Sequence, residues 1–293
     1  MAEVDIGQLR ALAAVVDAGS FEHAATALHL TPSAVSQRIK ALETSAGRVL
    51  VQRSKPSVVT EAGKPYLRLA RQLSILLEDA RAEATEGTGA PISVPLAVNG
   101  DSLTTWVLPA LATLADRVSF DIHREDQDHS AALLRAGTVI AAITSDAEAI
   151  QGCSVTRLGI MRYRALASPS FAARWFPVRA QAEHFAVAPV MVYDRKDDLQ
   201  DRFLSGRYRS VLSPPRHYMP GSADFAESVR LGMGWGMLPD QQSAALEAAG
   251  QLVDLAPGEH LDVSLYWQQW TLETPILDLI AEAILRAARE TLR

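Results

Sequence analysis

Apolar residues recur at helical spacing in the first part of the chain and predict three short helices. A helix over residues 5–17 places on one side Leu9, Leu12, Ala13 and Val16. Two further helices joined by a tight turn are expected over residues 20–42. Their inward positions are Phe21, Ala24, Ala25 and Leu28 in the first and Val35, Ile39 and Leu42 in the second. The three helices are expected to share one core.

The last of these helices presents a polar, basic face outward. Ser20 is predicted to cap the preceding helix and Thr31 this one, with Pro32 at its first position, where a missing N–H costs nothing. The residues left outside the core are Ser33, Ser36, Gln37, Arg38 and Lys40. Hydroxyl and amide groups suit base edges and phosphates, and cations suit the DNA backbone. The pattern predicts a DNA-recognition helix, and the alternative is an ordinary solvated helix pair.

A basic hairpin is predicted directly after this helix. Gly47 ends the helix, and RVLVQRSKPSVVT reads as two short strands around a tip at Arg53, Ser54, Lys55 and Pro56. A basic loop of this kind reaches the groove beside the recognition helix. Residues 1–60 are therefore predicted to form a winged helix-turn-helix domain. Its DNA contacts are assigned to Ser20, Thr31, Pro32, the outward residues of the recognition helix, Arg53 and Lys55.

A long helix is predicted over residues 61–86, with Pro65 tolerated in its first turn. Apolar residues alternate three and four apart along it, at Tyr66, Leu69, Leu73, Leu76 and Ala80. This stripe either packs on the body of its own chain or forms the seam of a dimer. The dimer is favoured because a winged helix usually reads two half-sites. The small residues GTGAP end this linker segment, which spans 61–91.

From Ile92 the pattern changes to apolar runs alternating with helix-like stretches. The runs are ISVPLAVN, VSFDIHRE, TVIAAIT, RALASP, APVMVYD, GMGWGMLP and DVSLYWQQW. Such alternation is typical of parallel sheets with helices on their faces. Residues 92–293 are therefore expected to form a two-lobed α/β domain, with lobe I at about 92–162 and 264–293 and lobe II at about 163–263.

The distribution of charge indicates local contact with nucleic acid. Eight basic residues stand against Glu43 and Glu61 between Thr31 and Arg71, whereas 18 basic residues stand against 24 acidic ones from Ile92 onward. No apolar run is long enough to span a bilayer, and the start MAEVD is not that of a signal peptide, so a cytoplasmic location is expected. The single cysteine, Cys153, is expected to be a buried or idle thiol.

The chain carries no motif typical of an enzyme. GxSxG, HExxH, P-loop and GxGxxG motifs are absent, and the seven histidines lack ligand spacing. We therefore predict no catalytic residues, no metal and no cofactor. Two alternatives to an effector-controlled regulator stay open. One is an architectural or replication-linked DNA-binding protein, and the other is a two-lobed solute-binding protein or enzyme.

Over its full length the chain resembles a LysR-type transcriptional regulator. The segment SFEHAATALHLTPSAVSQRIKALE resembles the winged helix of that family. Three further blocks resemble its ArgP/LysG branch, which senses basic amino acids: LAVNGDSLTTWVLPAL (96–111), LASPSFAARWFP (166–177) and LYWQQW (265–270). The resemblance implies a lobed regulatory domain like that of periplasmic binding proteins and control of genes such as an amino-acid exporter. The partners that it implies are double-stranded DNA, a small effector and further copies of the chain in a homodimer or homotetramer. RNA polymerase is a further candidate partner, and a membrane is not.

An effector site is expected where strands of the α/β domain end, because helix N-termini there point free N–H groups into the crevice. The residues after strand LAVN that could bind a carboxylate are Asn99, Ser102, Leu103 and Thr104. Thr144 and Ser145 end another strand of the same lobe. The other lobe contributes Val192, Asp194, Pro220 and Ala223.

A basic amino acid, L-lysine or L-arginine, requires an acidic partner for its cation. Asp101 either caps its helix or binds the α-ammonium group of the ligand. Glu125, Asp126 or Asp194 is expected to face the cationic end, and we favour Glu125. For Glu125 and Asp126 the alternative is a solvated acidic loop. Which amino acid is the effector, the operator sequence, the sign of regulation and the oligomer size do not follow from the sequence.

Overall fold

In the computed structural model, which describes residues 4–84, 91–124, 130–177, 180–208, 212–272 and 274–293, three helices and a hairpin open the chain. The helices are α1 (Ile6–Ala18), α2 (Phe21–Ala27) and α3 (Pro32–Ala46). The hairpin pairs β1 (Val51–Gln52) antiparallel with β2 (Val58–Val59). The predicted wing and helix pair are confirmed.

The ends of these helices are set by side chains that the sequence identifies. The hydroxyl of Ser20 accepts a hydrogen bond from the His23 amide at 3.1 Å, and that of Thr31 accepts one from the Ala34 amide at 3.2 Å. Pro32 is the first residue of α3, and Gly47 ends it with φ of 65°, a left-handed conformation that glycine adopts without strain. Local capping chemistry thus fixes where α2 and α3 begin.

The core of this domain lies between α1, α2, α3 and the linker helix α4 (Lys64–Ala84). Its fully buried side chains include Leu12, Val35, Ile39, Leu42 and Leu67. At Gly63, before α4, the backbone passes so close to the wing that an added Cβ would lie 2.2 Å from the carbonyl oxygen of Leu50. The wing and the linker helix are therefore in direct backbone contact.

The described residues group into two compact units. Three elements contribute residues to both units: β6 (Cys153–Ala167), β11 (Leu261–Trp270) and α13 (Pro275–Thr291). The first unit contains Met1–Val98, Thr113–Thr156 and Trp267–Glu282, and the second contains Asn99–Ala112, Arg157–Tyr266 and Ala283–Arg293. The first thus holds the DNA-binding domain, the linker helix and a small α/β sheet. The second holds most of the remaining α/β residues.

The sheet of the first unit is parallel, as the alternating pattern predicts. β3 (Ile92–Val98) lies between β4 (Val118–Arg124) and β5 (Ala141–Thr144), and both pairings are parallel. Helix α7 (Ser130–Ala136) precedes β5 in the chain. Val94, Leu96, Ala97 and Val98 of the central strand are fully buried. A strand covered on both faces needs such a continuous apolar run.

In the second unit, β6 (Cys153–Ala167) pairs antiparallel with β9 (Gly236–Pro239) and β10 (Val253–Asp254). β7 (Val190–Val192) pairs parallel with β8 (Arg216–Tyr218). The remaining strand is β11 (Leu261–Trp270). The stretch Gly100–Ala112 comprises α5 (Gly100–Ser102), a π-helical turn (Leu103–Val107) and α6 (Leu108–Ala112). The other helices are α8 (Pro169–Trp175), α9 (Ala182–Val187), α10 (Leu199–Arg207), α11 (Ser222–Arg230), α12 (Asp240–Ala248) and α13 (Pro275–Thr291).

The sequence pattern misses two features of this unit. β6 has 15 residues, although only its last residues stand out as an apolar run, because charged residues such as Arg162 and Arg164 interrupt it. The antiparallel pairing of β6 also departs from the expected parallel arrangement. Arg164 is engaged by Asp240 and Glu247, with donor–acceptor distances of 2.5–2.7 Å. These ion pairs allow charged side chains within a central strand.

Candidate functional site

The first residues of α2 and α3 present hydroxyl groups that already serve as caps. Because the oxygens of Ser20 and Thr31 accept backbone hydrogen bonds, each hydroxyl keeps its own proton for donation to an acceptor such as a phosphate oxygen. The hydroxyls of Thr31 and Ser33 lie 3.1 Å apart. The beginning of α3 therefore offers a small group of oriented hydroxyls at a helix N-terminus.

The predicted recognition residues differ in how far they reach into solvent. Pro32, Ser33, Gln37 and Lys40 are exposed, and Ser36 is partly buried. Arg38 is also partly buried, because its guanidinium lies against the first turn of α1, with Nη1 3.4 Å from a Cβ built at Gly7. Lys40 is thus the more accessible cation of this helix.

The wing cation is held in place by an aromatic ring. The guanidinium carbon of Arg53 lies 4.7 Å from the centroid of the Phe21 ring, at the start of α2. Lys55, at the tip, is exposed. The hydroxyl of Ser54 donates to the carbonyl of Pro56 at 2.6 Å and stiffens the turn. The wing therefore presents one cation held by a ring and one exposed cation.

The two acidic residues of the basic segment are both engaged. The Glu43 carboxylate accepts hydrogen bonds from the backbone amides of Leu50 at 2.9 Å and Val51 at 3.3 Å, and so ties α3 to the wing. Glu61 pairs with Lys64 at 2.5 Å. Neither carboxylate is therefore left to oppose a phosphate backbone.

Two of the eight cations in the predicted basic segment are engaged by other parts of the first unit. Arg71 is 7% exposed and forms an ion pair with Asp17 of α1, and burial lowers the pKa of its guanidinium. Arg68 donates to the carbonyl of Gln151 at 3.4 Å. Both lie on the linker helix facing the rest of the first unit, so the charge count overstates the cations available to DNA.

The predicted dimer stripe divides into two faces. Tyr66 and Leu73 are partly buried against the DNA-binding core. Leu69 and Leu76 are each 41% exposed, and Ala80 is exposed. The side chains that fill the monomer core are instead Leu67, Ala70 and Ile75. The exposed residues of the stripe remain available for contact with a second copy, and the dimer seam stays a prediction.

The turn after β3 holds a carboxylate fixed by two hydroxyls of the second unit. Asn99, not Asp101, is the N-cap of α5, so the capping alternative for Asp101 is excluded. One oxygen of Asp101 accepts from the Ser222 hydroxyl at 2.6 Å, and the other accepts from the Tyr163 hydroxyl at 2.8 Å. Burial raises the pKa of the Asp101 carboxyl, and the two hydrogen bonds lower it by less. This carboxylate is thus oriented by neutral donors.

Sequence reasoning missed the partners of Asp101 and a second carboxylate. Ser222 begins α11, and its hydroxyl and carbonyl also lie 3.4 and 3.0 Å from the side-chain amide nitrogen of Gln242. Asp197 accepts from the backbone amides of Tyr193 at 2.9 Å and Leu199 at 3.1 Å. Burial raises the pKa of Asp197, and the nearby charge of Asp101 adds to the effect. Asp197 follows the predicted strand APVMVYD by three residues. Its place just after a strand end could have identified it as a candidate site residue.

The other predicted effector residues of the second unit lie close in sequence to Asp101, Asp197 or Ser222. Ser102 is buried, Leu103 is partly buried, and exposed Thr104 donates to the carbonyl of Gly100 at 2.8 Å. Val192 is buried, whereas Pro220 and Ala223 are exposed beside Ser222. Asp194 accepts from the amides of Lys196 at 2.7 Å and Asp197 at 3.0 Å. One of its oxygens is therefore committed to its own loop.

In the first unit, Thr144 belongs to a buried hydrogen-bond group. Its hydroxyl donates to the Asp146 carbonyl at 3.2 Å, and the fully buried Gln268 side chain donates to it at 3.4 Å. Gln268 also donates to the carbonyls of Asp146 and Glu148, each at 3.0 Å. Ser145 is partly buried in the same loop. Glu125 and Asp126, the favoured acids for a cationic ligand, lie outside the described residues.

Three further features bear on function. Burial raises the pKa of the half-buried Cys153 thiol to about 11, as expected for an idle thiol. Within the described ranges, His, Cys, Asp and Glu side chains form no group of three or more that could hold a metal ion. No helix in the same part of the chain is long and apolar enough to cross a bilayer.

Two protein-family models match the chain, one in its amino-terminal part and one in the remainder. The model of the bacterial regulatory helix-turn-helix protein, lysR family, matches residues 6–64, and that of the LysR substrate binding domain matches residues 94–289. The chain belongs to the LysR family. As a LysR-family regulator it uses its amino-terminal domain to bind DNA. The predicted fold class, a winged helix with a two-lobed α/β regulatory domain, is confirmed.

Individual relatives narrow the family to one branch. The chain is 42% identical to the lysine export transcriptional regulatory protein LysG of Corynebacterium efficiens, over 97% of this chain and 98% of that one. Its structure is similar to that of ArgP from Mycobacterium tuberculosis, with a TM-score of 0.88 and 43% identity over 99% of both chains. The full-length LysG of Corynebacterium glutamicum with bound effector Arg gives a TM-score of 0.78 and 38% identity, also over 99% of both.

These similarities confirm the predicted ArgP/LysG resemblance. The relatives are named as regulators of transcription, so this LysR-family chain is a DNA-binding transcriptional regulator and not an enzyme.

Proposed function

We propose that this protein controls transcription in response to a basic amino acid, L-arginine or L-lysine. One observation carries the proposal: LysG of Corynebacterium glutamicum, which is 38% identical over 99% of both chains, binds arginine as its effector. The carboxyl groups of Asp101 and Asp197 in the second unit are proposed partners for a cationic ligand, which would stabilise their ionised form. The target genes proposed are those for an amino-acid exporter or for amino-acid metabolism.

The DNA contacts proposed are those of the recognition helix and the wing. Exposed Lys40 and Lys55 and the ring-supported Arg53 support this assignment. Residues 1–60 are the proposed DNA-binding domain, 61–91 the linker and 92–293 the regulatory domain. We propose that the regulatory domain has two arrangements and that the effector binds one of them more tightly. The difference between the two affinities sets how far the effector can shift the equilibrium.

The proposed assembly is a homodimer or homotetramer built on the linker helix. Exposed Leu69 and Leu76 lie on one face of that helix, seven residues apart, and support a seam with a second copy. RNA polymerase is a proposed further partner. A regulator that must reach chromosomal DNA acts in the cytoplasm, which is the proposed location.

The test measures thermal stability and DNA binding of the full chain with a panel of the twenty amino acids. A ligand that binds the folded state raises the melting temperature by mass action. We expect arginine or lysine to raise it selectively and to change the DNA affinity, footprint or bending. The neutral isosteres L-citrulline and L-norleucine are the matched controls and are expected to have little effect.

A uniform absence of response would reject the sensor assignment. An architectural or replication-linked protein without effector control predicts the same melting temperature and the same footprint with every amino acid. A response to neutral amino acids alone would keep the regulator but reject a basic effector. The assay therefore separates the proposed function from its main alternative.

A further inference from the structure

We propose that Asp101 is the specificity-determining residue that receives the α-ammonium group of the amino-acid effector. The inference rests on the proposed function and goes beyond it, because it assigns one carboxylate to one group of the ligand. It also predicts which analogues the site rejects. A carboxylate in this role distinguishes an α-amino acid from a carboxylic acid with the same side chain.

The geometry around Asp101 is that of a carboxylate prepared for a cation. Three elements of the second unit meet at it, because α5 carries Asp101, β6 carries Tyr163 and α11 carries Ser222. Each carboxylate oxygen accepts one hydroxyl hydrogen bond, at 2.6 and 2.8 Å, and each has further lone pairs. Among the described residues, no Lys, Arg or His side chain forms an ion pair with it. A partly buried carboxylate without a counter-ion is costly unless a ligand supplies one.

A second observation, in the helical stretch that contains Asp101, points to a ligand. The hydroxyl oxygen of fully buried Ser102 and the indole nitrogen of Trp106 have no hydrogen-bond partner within the described part of the chain. Buried polar groups are nearly always paired, so two such groups within five residues of Asp101 in the sequence need an explanation. Hydrogen-bonding groups of a bound ligand would provide it.

The chemistry of an amino acid selects the α-ammonium group over the side-chain cation. Its α-carboxylate and α-ammonium groups are attached to the same carbon. Ser102, a predicted contact for the α-carboxylate, directly follows Asp101, so one short segment supplies both proposed contacts. Asp197 adds negative charge near Asp101. Arg216 offsets part of the charge of Asp197, although its main partner is Asp201. The side-chain cation is left to another acid.

The experiment compares L-arginine with 5-guanidinopentanoate, which lacks only the α-amino group, by calorimetric titration of the full-length protein. The wild-type protein is expected to prefer arginine by roughly tenfold or more, as for other desolvated charge pairs. Asp101→Asn, which is isosteric, is expected to bind both ligands about equally. Asp198→Asn removes an exposed carboxylate from the same unit, and the preference should survive in it.

Three outcomes separate this inference from the proposed function. If wild-type protein binds neither arginine nor lysine, the proposed function itself fails. If wild-type protein prefers arginine and Asp101→Asn keeps that preference, the effector assignment stands and the role of Asp101 is rejected. Loss of the preference in Asp198→Asn, with the preference kept in Asp101→Asn, would also reject the role of Asp101. If Asp101→Asn does not fold, Ser222→Ala carries the test, because it removes one orienting donor and should reduce the preference severalfold.

Discussion

Arg53 of the wing stacks on Phe21 of α2, with 4.7 Å between the guanidinium carbon and the ring centroid. The contact joins the hairpin to the first helix of the helix-turn-helix, although the residues are 32 positions apart in the sequence. Because Phe21 also packs against the domain core, the ring holds the cation at a defined place. An immobilised cation loses less entropy when it binds a phosphate.

The first prediction concerns this cation. Arg53→Ala should weaken DNA binding and lower the salt slope of the binding constant by about one unit, as for one lost phosphate contact. Arg53→Lys keeps the charge but stacks less well, so its affinity should fall less and its slope should stay unchanged. The measurement is fluorescence anisotropy with operator DNA between 50 and 200 mM salt, a range of the order used for such slopes.

Arg286→Ala, which removes an exposed cation from α13, is the control and should leave the slope unchanged. An Arg53→Ala protein with the wild-type slope would show that the wing does not touch phosphate.

The DNA-binding domain was predictable because its signals are local. Ser20, Thr31, Pro32 and Gly47 act on neighbouring backbone, and each occupies the position that the sequence indicates. The burial of Arg71 was not predictable in this way. Its partner Asp17 lies 54 residues away, and nothing in the linker helix distinguishes this arginine from an exposed one.

The candidate effector site was only partly predictable. The strand end after Val98 was visible as an apolar run, and Asp101 followed from its place there. The donors that orient Asp101 come from positions 62 and 121 residues further along the chain. Such contacts depend on how β6 and α11 pack, and β6 itself was hidden because charged residues interrupt its apolar pattern.

The second prediction concerns the exposed face of the linker helix. The double variant Leu69→Glu, Leu76→Glu should shift the assembly toward a monomer of 31.7 kDa, because it places charges in the proposed seam. Circular dichroism should remain that of the wild-type protein, since Leu67 and Ile75 fill the monomer core instead. Light scattering after size-exclusion chromatography measures the mass.

Val187→Glu is the matched control, because Val187 is a similarly exposed apolar residue (55%) on α9 of the second unit. An unchanged mass for the double variant would place the oligomer contact elsewhere.

The third prediction concerns the backbone contact at Gly63. Gly63→Ala should lower the free energy of unfolding by about 2 kcal/mol, because the new methyl group would overlap the Leu50 carbonyl and Val59. DNA affinity should also fall, since the wing must move. Urea denaturation and anisotropy measure the two effects.

Gly206→Ala is the control for this substitution. Gly206 lies in α10 with no atom near its missing Cβ, so alanine should stabilise the protein by about 0.5–1 kcal/mol. Equal stability of the two variants would contradict the close approach of the wing to the linker helix.

The fourth prediction follows from the raised pKa of Asp101. In the unfolded chain this carboxyl has its ordinary pKa of 3.8, and in the folded protein burial raises the pKa above that value. Between the two values the folded state binds more protons than the unfolded state, so the contribution of Asp101 to stability falls as pH rises through this window. Asp101→Asn has no such titration.

Without effector, the variant should therefore gain stability relative to the wild-type protein as pH rises above about 4. Urea denaturation of both proteins at several pH values measures the difference, and Asp116→Asn controls for the loss of one exposed negative charge. Saturating arginine should abolish this advantage of the variant, because a bound ammonium group stabilises the ionised carboxylate. A difference in stability that stays constant with pH would show that solvent, not burial, determines the charge state of Asp101.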